Sequence, residues 1–142
     1  MMRFNIPAAA TAIAAAFLFV GTAAQAEMIR FSAELTGAAQ VPPTDSAATG
    51  TVEVTLDTEA KTVAWLVTTD GLSGAPTASH IHGPAAATES AGPVIDTLAA
   101  MEGSAPITDE QIAELTGGMY YYNVHTEKFP DGEIRGQLMA AE

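Results

Sequence analysis

The chain has 142 residues, 48% of them hydrophobic, with five Lys and Arg against seventeen Asp and Glu and no cysteine. A formal charge of −12 argues against nucleic acid and anionic membrane as partners, because both need a positive protein surface. Without cysteine there is no disulfide, no soft thiolate metal site and no cysteine nucleophile.

The chain opens as a secretory signal peptide. Arg3 precedes the apolar run "IPAAATAIAAAFLFVG", and "AAQA" offers small residues at Ala24 and Ala26 for a signal peptidase. The run falls short of the roughly 20 apolar residues of a membrane-spanning helix, and a retained anchor is the alternative reading. Cleavage after Ala26 leaves residues 27–142. Loss of Arg3 takes the formal charge to −13, since four basic side chains then face seventeen acidic ones. A chain of that length suits one domain with one core, and its location is periplasmic or secreted.

Alternation of period two dominates the next segments. In "MIRFSAELTG", Ile29, Phe31, Ala33 and Leu35 share one face, with Arg30, Ser32 and Glu34 on the other. "GTVEVTLD" repeats the pattern with Val52, Val54 and Leu56 inside, and "KTVAWLVTTDG" groups Val63, Trp65 and Val67. These are half-buried antiparallel strands bounded by turn residues. "VPPTDSAATG", residues 41–50, reads as a loop, and so does the Ala/Gly/Pro/Thr-rich stretch 83–92, neither with a packing role. "ITDEQIAELTGG" predicts one helix. Thr108 is its N-cap, Gln111 the capping-box partner, Ile112 and Leu115 its buried face, and Gly117-Gly118 its end.

The terminal segment "FPDGEIRGQL" predicts a hairpin. Pro130 and Asp131 suit the centre of a type I turn, and Gly132 suits the left-handed position after it. A loop at residues 130–132 pairs 129 with 133, 127 with 135, 125 with 137 and 124 with 138. Tyr122, Val124, Ile134 and Leu138 then face the core, and His125, Glu127, Glu133, Arg135 and Gln137 face away. Glu133 and Arg135 read as an exposed ion pair, worth about 0–1 kcal/mol. Met101 and Met119 read as core filler. Tyr120, Tyr121 and Tyr122 alternate faces and form no single stripe.

The three histidines carry the chemistry. In "ASHIHGPA", a strand projects His80 and His82 to one face and Ile81 to the core, so the pair faces outward, as His125 does. A solvated His-x-His is the bland interpretation. A strand His-x-His also holds two imidazoles at nearly fixed separation, a third lies in the polar cluster of the hairpin, and the chain has no others. Three nitrogens without thiolate favour copper, with zinc second. No nucleophile–base pair, phosphate loop or paired-carboxylate spacing accompanies them.

"FSAELTGAAQVPP", "HIHGPA" and "YYNVHTEKFPDGEIRGQL" together resemble the CHRD domain, a module found in chordin and in exported bacterial proteins, from about Phe31 to Leu138. The resemblance implies an all-β, immunoglobulin-like or dismutase-like antiparallel sandwich with the helix inserted before the terminal hairpin, spanning residues 27–142. The chain is also similar, over fewer residues, to the copper site of copper/zinc superoxide dismutase. That similarity implies copper ligation by His80, His82 and His125 and an anion-guiding, catalytic role for Arg135. The chain departs from that enzyme in having no fourth histidine to bridge to zinc, no zinc subsite and no disulfide. The combined expectation is an exported protein that binds copper at a surface three-histidine site and serves periplasmic copper handling. Two alternatives stand beside it: a zinc-free, copper-dependent dismutase, and a metal-free module that meets a protein partner.

Overall fold

The computed structural model describes residues 26–141. The expected signal segment lies outside the described residues apart from Ala26. The elements in chain order are β1 (Met28–Thr36), a 3-10 turn (Gly37–Ala39), β2 (Thr49–Asp57), β3 (Thr62–Asp70), β4 (Pro76–His82), β5 (Pro93–Asp96), β6 (Glu102–Pro106), α1 (Asp109–Thr116), β7 (Tyr121–Thr126), β8 (Ile134–Gln137) and β9 (Met139–Ala140). Every pairing is antiparallel. The fold is therefore all-β with one short helix.

The strands run β5-β4-β7-β8-β1-β2-β3-β6 in one nearly closed sheet, with β9 added to β1. Its halves meet where Thr36 pairs with Arg135, and β9 continues that seam by pairing Met139 with Ser32 and Ala140 with Phe31. Gly136 makes that crossing possible, because a Cβ there would collide with the backbone carbonyl of Glu34. Both halves face one core. Phe31, Leu35, Val52, Val54, Leu56, Val63, Trp65 and Val67 enter it from β1 to β3, and Ile81, Tyr122, Val124, Ile134 and Leu138 from the other side. The alternating residues of β1 to β3 are the ones buried, as their period-two pattern requires.

The helix forms where its caps place it. Thr108 Oγ1 accepts from the Gln111 amide at 3.2 Å and Gln111 Oε1 accepts from the Thr108 amide at 3.0 Å, a complete capping box. Leu115 is buried and Ile112 packs against the core. Met101 also packs there, whereas Met119 is exposed rather than core filler.

The terminal hairpin departs from its expected register. Val124 pairs with Ile134, Asn123 with Arg135, Tyr122 with Gly136 and Tyr121 with Gln137. The turn at Pro130-Asp131 does form, closed by a hydrogen bond from the Gly132 amide to the Phe129 carbonyl, and Gly132 has φ +121°. It does not close the hairpin, however. Thr126 and Phe129 first exchange backbone hydrogen bonds around Glu127-Lys128, and the ladder resumes where the Glu133 amide donates to the Val124 carbonyl at 2.7 Å. The second turn slips the pairing by four residues. An even slip keeps the paired strand residues on their faces, so the core assignments survive the wrong register, whereas Glu133, just before β8, turns to the buried Thr126 instead of facing away with His125.

Candidate metal centre

The sheet carries the histidines to one place by simple register. His80 on β4 lies opposite Asn123 on β7, and Asn123 lies opposite Arg135 on β8. One step along, His82 lies opposite Tyr121, and Tyr121 opposite Gln137. His125 sits two residues beyond Asn123 on the same face. Opposite residues share a face, so these two rows make one polar patch backed by the core residues Ile81, Tyr122 and Val124.

Within that patch a ring nitrogen from each of His80, His82 and His125 lies within 4.8 Å of those of the other two. His80 Nδ1 is 3.1 Å from His125 Nε2. Three of the remaining nitrogens face oxygen. His82 Nδ1 donates to the Ala91 carbonyl at 2.9 Å and His125 Nδ1 donates to the Pro130 carbonyl at 2.8 Å. His80 Nε2 points toward Asp96, 3.9 Å from its Oδ1. A carbonyl only accepts, so both Nδ1 atoms carry protons and the two Nε2 atoms hold lone pairs in the neutral rings. His82 Nε2 is buried and has no hydrogen-bond partner.

The environment keeps the first two rings neutral. Burial lowers the pKa of His80, the neighbouring His125 lowers it further, and Asp96 offsets only part. Burial likewise lowers that of His82, against opposing help from the Ala91 carbonyl and Asn123. Neutral imidazole is the ligating form.

The patch is not the open surface expected. His82 is 8% exposed and is held against the 83–92 loop through the Ala91 carbonyl, while His80 and His125 are half-buried. The expected lack of a packing role for that loop does not hold, because it packs on His82 and Arg135. The Ala91 carbonyl takes hydrogen bonds from both His82 and the Tyr121 hydroxyl. Ala85 is buried, and its carbonyl accepts from Gln137 Nε2 at 2.9 Å. The Tyr121 ring stacks on His82, with centroids 4.9 Å apart and planes 7° apart. The tyrosines do alternate faces, yet all three are buried, and Tyr121 belongs to the site.

Glu133 and Arg135 are not an exposed ion pair. Both are buried, and each is satisfied elsewhere. The Glu133 carboxylate accepts from Ser46 Oγ, from the Ser73 amide and hydroxyl, and from Thr126 Oγ1, all between 2.6 and 2.9 Å. Burial opposes its ionisation, but these hydrogen bonds together outweigh it and hold its pKa below the usual value. It ties the loops that carry Ser46 and Ser73 to the end of β7. The Arg135 guanidinium lies 3.5 Å from the Tyr121 ring centroid, and its Nη2 donates to the carbonyls of Ala86, Ala87 and Glu89, so it pins the covering loop.

The CHRD domain matches residues 31–138. The chain belongs to the CHRD domain family. Neither curated proteins nor solved structures gave a match. All three histidines fall inside the span matched to this CHRD domain, as do Asn123, Tyr121 and the covering loop. Among the described residues no helix is long and apolar enough to cross a membrane.

Two further site residues are legible in the sequence. The stretch "YYNVH" alternates, so Tyr121 and Asn123 must share the face of His125. The role of the loop carbonyls had no signal in the sequence, since any residue supplies a carbonyl.

Proposed function

We propose that this is an exported copper-binding domain that holds one ion at His80, His82 and His125 and serves copper handling in the periplasm. The commitment of the ring nitrogens carries this reading. Two of the rings give their Nδ1 protons to backbone carbonyls and the third points its Nε2 toward a carboxylate, while the opposite nitrogens converge. Metal-binding imidazoles are oriented in this way, by an oxygen acceptor on the second nitrogen. An all-nitrogen set suits copper, and divalent copper stands above zinc in intrinsic affinity. Arg135, buried and turned to the loop carbonyls, offers no exposed charge to guide an anion, which favours binding over dismutation.

Titration of the mature domain with Cu(II) and Zn(II) tests the reading. Uptake of a single copper ion, tighter than zinc, is expected. Replacing any one of the three histidines by alanine should weaken it beyond the roughly 10–100-fold that loss of a supporting residue costs. Affinity should fall as pH drops from about 7 to about 5, because protons compete for imidazole near its ordinary pKa of about 6.5. A wild-type domain that takes up no metal would overturn the proposal in favour of a protein-interaction module.

A further inference from the structure

Asn123 sits at the centre of the histidine cluster and is 3% exposed. Its neighbours across the sheet are His80 on one side and Arg135 on the other. Its Oδ1 lies 3.0 Å from His125 Nε2. Since His125 Nδ1 gives its proton to the Pro130 carbonyl, a neutral ring presents a lone pair to that oxygen. Two acceptors then face each other at hydrogen-bond distance. Turning the amide to present Nδ2, or placing a proton on His125 Nε2, would settle that contact but leave His82 Nε2 buried and orphaned. A cation held between the three rings and the amide oxygen settles both at once.

From this arrangement, and resting on the three-histidine reading above, we infer that Asn123 Oδ1 is a fourth ligand of the bound metal. The packing supports a fixed amide. Gly132 leaves room for it, because a Cβ there would stand 2.9 Å from Asn123 Nδ2 and 2.5 Å from Gln40 Nε2. The chemistry selects an oxidation state. Amide oxygen is a hard donor that suits Cu(II) and adds little for Cu(I), which prefers soft ligands and few of them. Asn123 therefore biases the site toward the oxidised ion, and a carboxylate in its place would do so more strongly.

The test compares Cu(II) and Cu(I) affinities and the Cu(II) electron paramagnetic resonance spectrum for the wild-type domain, Asn123→Leu and Asn123→Asp. Asn123→Leu should weaken Cu(II) by roughly tenfold or more, leave Cu(I) affinity within about threefold, and shift the spectrum to fewer ligands. Asn123→Asp, nearly isosteric, should tighten Cu(II) relative to Cu(I), and it decides the matter if the leucine variant does not fold. Equal weakening of Cu(I) and Cu(II) would overturn ligation, since it means that Asn123 only places the histidines. Unchanged affinities and spectra in both variants would overturn it too, with the three-histidine reading intact. A wild-type domain that binds neither ion would overturn both.

Discussion

His80 and His82 are held neutral by burial, and the sign of their effect on folding follows. Their folded pKa values lie below the ordinary one, so between those values and about 6.5 the unfolded chain binds more protons than the folded one. Stability of the metal-free domain should therefore fall as pH drops below about 6.5, and His80→Gln with His82→Gln should flatten that slope; urea midpoints across the pH range would show it. A slope unchanged in the double variant would mean that other groups carry the acid sensitivity. Glu133 acts at lower pH. Its pKa is depressed, so its contribution is complete above the ordinary carboxylate range, near 4.3, and is lost as pH falls through the folded value. Glu133→Gln keeps the shape and removes the charge that Ser46, Ser73 and Thr126 bind, and should cost about 2 kcal/mol at neutral pH. A midpoint equal to wild type would show that the buried carboxylate is not ionised.

The β7–β8 hairpin shows how far turn chemistry reads. Pro130, Asp131 and Gly132 make the turn their residue types announce, but Glu127-Lys128 carries no Gly, Asn or Pro to announce the turn that precedes it. The expected register failed for that reason, while the faces of the paired residues held because the slip was even. Gly132 is the sensitive point. At φ +121° a side chain is strained, and its Cβ would press on the amides of Gln40 and Asn123. Gly132→Ala should lose about 1–3 kcal/mol of stability, and it should also disturb metal binding through Asn123. Stability at the wild-type level would contradict the assigned backbone. The helix is simpler. Its capping box was readable from Thr108 and Gln111, and Thr108→Ala should cost about 1 kcal/mol in a thermal or denaturant melt.

The domain is a β-sheet folded on one core, and the outward residues of β4, β7 and β8 form a polar patch that the 83–92 loop partly covers. The core was legible because alternating Phe, Val, Leu and Ile residues leave β1 to β3 little choice of face. The histidine cluster was legible for the same reason, since His80, His82 and His125 lie on strand positions opposite Ile81 and Val124 in parity. What escaped was contributed by tertiary structure alone: the loop that covers His82, the carbonyls that fix the rings, and the burial of Glu133 and Arg135. A charged residue on the outward face of a strand looks solvated until another segment is known to lie over it. The central claim is that this patch holds copper through its histidines. The copper content of the protein purified from the cells that make it, beside a His80→Ala/His82→Ala variant, tests it most directly. The account predicts one copper ion per wild-type chain and none in a variant that remains folded. Copper retained by the variant, or a wild-type protein that carries no copper, would contradict it.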